Sequence, residues 1–258
     1  MNINSKTTTS EGGKLANTSR LTAIKESKMK ITTPKLIRWA GLSAMVAGII
    51  FVVIQPIHPP DVISSVNTNL WAIITSFKTV MSIFGLFGIL GLYARQVEET
   101  GWLGLAGYVL LTIFYAVQMC YSFAEALILP LLVTGAPKFV ESTLGMASGA
   151  GGEMNLGSLA VIFQIVSVLY LLGTLLFGIA LFRARILPRW AAGLLALSGP
   201  LAVIMVALLP HQLERLAAMP MGIALAWLGY ALWSERREKV SEPVPGLVSP
   251  QPSQSGAD

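Results

Sequence analysis

A few polar side chains interrupt the long apolar runs of this sequence, and they are its main candidates for chemistry. A charge or an amide among apolar residues is costly to bury, so such residues mark a ligand site or tie helices together. The residues from Gln118 to Glu125 include polar side chains at spacings of 3, 4 and 7, which lie on one face of a helix. The full set is Lys78, Gln118, Tyr121, Ser122, Glu125, Gln164 and Ser167.

Three of these residues are predicted to lie at a similar depth in the membrane. At 1.5 Å per residue, Lys78, Gln118 and Gln164 lie about 24 to 28 Å from the arginine or tryptophan at the inner end of their helices. One interpretation is an outward-facing ligand pocket lined by Lys78, Gln118, Tyr121, Glu125 and Gln164, where Lys78 attracts an anion and Glu125 is its counter-ion. The alternative is a structural Lys78–Glu125 bridge, with glutamines that join helices.

The two histidines form a separate candidate site. His58 and Asp61 follow the first apolar run, and His211 and Glu214 follow the fifth. Two imidazoles and two carboxylates suit a zinc-like ion, so these four residues are a candidate metal site. Interfacial histidines beside solvated carboxylates are the alternative interpretation.

Familiar catalytic signatures are absent from the sequence. It has no Walker-type loop, no Gly-x-Ser-x-Gly and no His-Glu-x-x-His motif. Its single cysteine, Cys120, excludes a disulfide framework. We therefore predict no catalytic residue and no cofactor, and we favour a non-enzymatic protein.

The elements that must position these residues are transmembrane helices. Hydrophobic residues make up 54% of the 258 residues and charged residues 12%, against about 25% charged in soluble domains. Six apolar runs are long enough to cross a bilayer as helices. We predict an all-α integral membrane protein, a six-helix bundle within residues 36–234, with spans at about 36–57, 70–94, 102–132, 156–182, 190–209 and 217–233.

Charge predicts the orientation of this bundle. Fifteen Lys and Arg residues fall in the two tails and the loops on one side, and two, Lys138 and Arg215, on the other. Because cytoplasmic loops are enriched in Lys and Arg, both termini should be cytoplasmic, in the plasma (inner) membrane. Residues 1–35 and 235–258 are predicted to be disordered cytoplasmic tails. The basic residues flank apolar runs and form no patch, so nucleic acid is not an expected partner.

Residue patterns that recur at the ends of the predicted helices suggest that the six spans form three successive pairs. Each outward-running helix starts with a tryptophan, and each returning helix has an arginine seven residues after a glycine, as in Gly88–Arg95 and Gly178–Arg185. This pattern suggests three tandem helical hairpins, and ordinary interfacial anchoring is the alternative. Small residues four apart, such as Ala44 and Gly48, predict close packing within the bundle, with self-association as the alternative.

The loop before the fifth span carries a family resemblance. Leu187-Pro188-Arg189-Trp190 resembles the Leu-Pro-Arg-Trp inner loop of several families of uncharacterised bacterial multi-pass membrane proteins. The resemblance implies a bacterial plasma-membrane protein and carries over no functional residue. Together these features favour a membrane-embedded binding, sensory or accessory protein in contact with lipid, with an unknown small-molecule ligand. The alternative is a small transporter with an outward-facing polar pocket in helices two to four.

Overall fold

The computed structural model describes residues 32–148, 151–208 and 211–235, and within these ranges the chain forms helices joined by short loops, with no strand. Six of the described helices are long and apolar enough to cross a membrane. Apart from residues 32–35 and 235, the predicted tails lie outside the described residues. The six helices are α1 (Thr33–Ile54), α2 (Asn69–Ala94), α3 (Val97–Leu127), α4 (Ser158–Ala184), α5 (Arg189–Leu208) and α6 (Met219–Ser234). The sixth membrane-crossing segment begins before α6, at Leu213 in the preceding 3₁₀ helix.

The predicted third span, 102–132, is divided in the structure. Helix α3 begins at Val97, and its backbone is interrupted at Gly101, whose φ of 53° suits glycine. It ends at Leu127, and a separate short helix covers Leu129–Leu132. Pro130 explains this division, because proline lacks an N–H and its ring clashes with the preceding helical turn.

The six helices form a ring in chain order. Each helix packs on the next one along the chain, and α6 packs extensively on α1, which closes the ring. At this closure, a Cβ atom on Gly48 would overlap the backbone of Gly222 and Ala226. The predicted small-residue faces are therefore used inside the bundle, where they let α1 and α6 approach closely.

The two ends of the bundle differ. At one end, which we call the arginine end, Arg38 Nε donates to the Trp233 carbonyl oxygen at 3.1 Å. At the same end, Arg95 forms an ion pair with Glu235. The opposite end is the cap end, because a helix at Pro137–Ser148, the cap helix, lies there.

A small hydrophobic cluster holds the cap end together. The cap helix contributes Val140 and Leu144, which pack with Val66, Trp71 and Leu129. All five side chains are buried. The cluster therefore anchors the cap helix to the start of α2 and to the chain just beyond α3.

Helix α4 has fully buried residues in only one half of its length, although Val166, Leu169 and Tyr170 of the other half are partly buried against the core. Its buried residues all lie between Gly173 and Leu181, towards the arginine end. The half nearer the cap end, residues 158–172, has no buried residue, and Val161 and Ile165 are more than half exposed. The backbones of α3 and α4 approach closely at Gly107 and Phe177. Towards the cap end the two helices meet through long side chains instead, such as the rings of Tyr121 and Phe163, whose centroids lie 5.8 Å apart.

Candidate functional site

An ion pair between Lys78 of α2 and Glu125 of α3 lies near the cap end. The side chain of Glu125 is only 2% exposed and that of Lys78 14% exposed, so water screens the pair poorly. The Lys78 ammonium also lies 6.0 Å from the centre of the Tyr121 ring, within reach of a cation–π interaction. The structure thus brings three of the predicted site residues together.

A second contact between the same helices fixes the position of Glu125. The Thr68 hydroxyl caps the start of α2 by accepting a hydrogen bond from the Trp71 backbone N–H. The indole Nε1 of Trp71 then donates to the backbone carbonyl of Glu125 at 3.0 Å. Helix α2 therefore contacts both the side chain and the backbone of this one residue of α3.

A further ion pair joins Asp61 to Arg215. Asp61 lies in the segment after α1, and Arg215 lies in the 3₁₀ turn His211–Ala218 before α6. Their side chains are 10% and 28% exposed. This pair ties the cap ends of α1 and α6 together, where the ring closes.

His58 lies beside both ion pairs. Its Nδ1–H donates to the Pro59 carbonyl at 2.6 Å, and its ring meets the Trp71 ring edge-on, with 5.8 Å between the centroids. Burial, followed by the positive charges of Lys78 and Arg215, lowers the pKa of His58 from 6.5 to about 4. His58 is therefore neutral at physiological pH, and its buried Nε2 has no hydrogen-bond partner among the described residues.

Two of the four residues predicted to bind a metal have other partners in the structure. Asp61 is bound to Arg215, and the His58 imidazole donates to the backbone. Within the described ranges, no three His, Cys, Asp or Glu side chains come together as a set of metal ligands. The side chain of His211 lies outside what the structure describes, so the four-residue site with Glu214 stays a prediction.

A cavity of about 420 Å³ lies between the cap-end halves of α3 and α4. The cap helix contributes Phe139 and Thr143 to its lining. Most of the wall is apolar, and Cys120 and Phe163 also contact the space. The apolar lining residues include Val117, Ala124, Ile128, Leu129, Leu159, Ile162 and Val166.

Polar groups of the cavity come from one face of α3 and from the cap helix. Gln118, Tyr121 and Glu125 line it from α3. The Gln118 amide nitrogen donates to the Ser122 hydroxyl at 3.1 Å. The Tyr121 hydroxyl lies 3.5 Å from the Thr143 carbonyl oxygen, at the limit of hydrogen bonding. These groups give an otherwise apolar space one polar side.

The five residues predicted for the pocket are not all placed in it. Gln118, Tyr121 and Glu125 line the cavity, whereas Lys78 adjoins it through Glu125. Gln164 lies on the exposed surface of α4 and is not part of the lining.

Sequence reasoning missed the lining residues of the cap helix, Phe139 and Thr143. A signal for that helix is present in the sequence. Pro137 suits the first turn of a helix, and apolar residues follow at 139, 140 and 144, on one helical face.

Comparisons with protein families, with curated proteins and with solved structures find no match for this chain. The interpretation of the cavity therefore depends on its own geometry.

Proposed function

We propose that this chain is a plasma-membrane protein that binds a small apolar molecule in the cavity between α3 and α4, without chemical turnover. The observation that carries this proposal is the cavity itself. Its volume of about 420 Å³ falls within the range of small-molecule sites, about 300 to 1,000 Å³, and apolar walls with a few polar groups are typical of such sites. The protein would act as a sensor or accessory subunit.

In the proposed topology the arginine end faces the cytoplasm. The described part of that end carries Arg38 and Arg95, together with the three arginines around the α4–α5 loop. The charge bias of the sequence supports both termini on this side, and the antiparallel neighbours along the ring are compatible with three tandem hairpins. The Leu187–Trp190 segment supports assignment to a bacterial plasma membrane.

This orientation places the cavity in the outer half of the bilayer. Its lining on α3 begins at Val117, 15 residues beyond Trp102, or about 22 Å along the helix. It extends along α3 to Glu125, at about 34 Å, and continues to Leu129 in the short helix beyond. A bilayer has a hydrocarbon core of about 30 Å and about 40 to 45 Å with headgroups, so the cavity spans the outer leaflet.

Native mass spectrometry of the protein extracted from its membrane tests the proposal. Ala124 lines the cavity, so Ala124→Phe should fill part of it, whereas Ala72→Phe adds the same ring to an exposed position of α2. We expect the unmodified protein and the Ala72→Phe variant to retain a bound small molecule, and Ala124→Phe to lose it. An identical bound mass in all three proteins would overturn the proposal.

A small transporter is the second candidate function. The buried Lys78–Glu125 pair favours it, because ionisable residues within membrane spans often mark ion or substrate pathways. A single cysteine at Gln118 in a Cys120→Ser background tests it with a membrane-impermeant maleimide. Labelling from each side in turn supports alternating access, and labelling from the outer side alone supports an outward pocket. Protection from both sides favours the binding protein.

A further inference from the structure

We infer that the cavity selects a neutral, lipid-soluble molecule with one hydrogen-bonding end group, which enters sideways from the outer leaflet. This inference rests on the proposed function and adds the chemical class of the ligand and its route of entry.

Charge balance around the cavity argues for a neutral ligand. The carboxylate that lines it, Glu125, is already paired with Lys78. Arg215 is paired with Asp61, and Lys138, which precedes the lining residue Phe139, is paired with Glu153. Among the described residues, a charged ligand would therefore lose its hydration without meeting an unpaired opposite charge at the cavity, which is unfavourable in an apolar site.

The polar side of the cavity provides for one hydrogen-bonding group. The Gln118 side-chain amide has two N–H donors and an oxygen acceptor, and among the described residues its one hydrogen bond goes to Ser122. The Tyr121 hydroxyl makes only a long contact of 3.5 Å to Thr143. An alcohol or carbonyl group of a ligand can form stronger hydrogen bonds with both of these side chains than they form with the protein.

The walls show where a ligand enters. The cap helix covers the space with Phe139 and Thr143, on the side that would face water. Cys120 and Ile162 line the cavity and are also exposed on the side of the bundle, and Ile162 is 45% exposed. Because the nearby half of α4 has no buried residue, the open side is the one that would face lipid.

Four probes with the same chain length separate the possible ligand classes. The protein in lipid nanodiscs at pH 7.5 is given dodecanol, dodecane, dodecylammonium or dodecyl sulfate at equal mole fraction of lipid. The first readout is the rate of alkylation of Cys120, the only cysteine in the chain and a lining residue. The second is the unfolding temperature of the same samples, which reports binding independently of thiol reactivity.

We expect dodecanol to slow the alkylation and to raise the unfolding temperature. It should bind about threefold to tenfold more tightly than dodecane, the range that one hydrogen bond supplies. The two charged probes should have little effect, and Ala124→Phe should abolish the response to dodecanol while Ala72→Phe keeps it.

Other outcomes separate this inference from the proposed function. Tighter binding of dodecylammonium or dodecyl sulfate would overturn the neutral class and leave a binding cavity in place. Equal binding of dodecane and dodecanol would overturn the hydrogen-bonding end group. If no probe changes either readout, both the inference and the binding function fail.

Discussion

Lys78 of α2 donates a hydrogen bond from its ammonium to the carboxylate of Glu125 of α3, 47 residues along the chain. The same glutamate accepts a hydrogen bond from Trp71 at its backbone carbonyl. Helix α2 therefore holds both the backbone and the side chain of the residue that lines the cavity with a carboxylate. This arrangement fixes the rotation of α3, and with it the position of the polar face from Gln118 to Glu125.

Replacements of Lys78 and Glu125 should have strongly non-additive effects on the free energy of unfolding. Removing one partner of a buried ion pair costs about 3 to 5 kcal/mol, because the other charge is left without a partner. We expect Lys78→Met to lower the free energy of unfolding by about 3 kcal/mol, and Lys78→Met with Glu125→Met to recover most of that loss. Denaturation in mixed micelles measures both variants, and a double variant no more stable than the single one would contradict the pairing.

The Asp61–Arg215 pair should contribute more to the free energy of unfolding than an exposed ion pair does. Asp61→Asn should lower the free energy of unfolding by about 1 to 2 kcal/mol, because the pair is partly buried and joins the two ends of the ring. The Lys138–Glu153 pair at 3.1 Å is the control, since both side chains are more than 70% exposed. Glu153→Gln should cost less than about 0.5 kcal/mol. Equal losses would show that the ring closure does not depend on Asp61.

The contact between α1 and α6 should not tolerate a larger residue at Gly48. A Cβ there meets backbone atoms of α6, which cannot move aside as a flexible side chain can. We expect Gly48→Ala to lower the free energy of unfolding by about 3 kcal/mol, which is the upper part of the range for overpacking. Gly135→Ala is the matched control, because a Cβ at Gly135 has no atom within 4 Å. Thermal unfolding in detergent compares the two, and an unchanged midpoint for Gly48→Ala would refute the close approach.

Acid should destabilise the protein through His58. Burial, followed by the charges of Lys78 and Arg215, lowers its folded pKa to about 4 from an unfolded value of 6.5, despite the opposing effects of the Pro59 hydrogen bond and of Asp61. Well above pH 6.5 the imidazole is neutral in both states and has no effect on stability. Between pH 6.5 and 4 the unfolded chain binds a proton that the folded chain does not, so stability falls as the pH falls.

The variant His58→Gln isolates this effect, because glutamine does not titrate. We expect the unfolding temperature of the unmodified protein to fall more steeply than that of His58→Gln between pH 6.5 and 4.5. Parallel curves for the two proteins would show that His58 is not the titrating group.

The proposed orientation has a direct test. In a Cys120→Ser background, Gly135→Cys lies in the loop between Leu132 and Pro137 at the cap end, and Ser234→Cys lies at the arginine end. An impermeant maleimide added to intact cells should label position 135. It should label position 234 only after the membrane has been permeabilised. The reverse pattern would place the arginine end outside.

Local sequence signals predicted the helices better than their arrangement. The spans at 70–94 and 190–209 agree with α2 and α5 to within one residue at each end, because about 20 apolar residues are needed to cross a bilayer wherever they occur. The third apolar run, 102–132, is long for one span, and Pro130 predicts an end or a bend near its outer end, where the structure has a separate short helix.

These signals predicted the part of the cavity on α3, with Gln118, Tyr121 and Glu125, but not its other walls. Counting residues along a straight helix gives the height of Gln164 but not the direction in which it points. Gln164 lies on the exposed surface of α4, outside the lining, although Gln118, at a similar predicted height, lies within it. The spacing of Ala44 and Gly48 indicated a packing face, but the partner helix α6 lies far along the chain, where no local pattern points to it.

The closed ring has a consequence for biosynthesis. Helix α1 leaves the ribosome first, yet its glycine face packs on α6, whose first residue comes 165 residues after the last residue of α1. At a translation rate of about 5 to 20 residues per second, α1 is in the bilayer for roughly 8 to 33 s before the first residue of α6 is synthesised. During this interval its small-residue face is open to other helices, so premature pairing of α1 is the assembly error to which this architecture is most exposed.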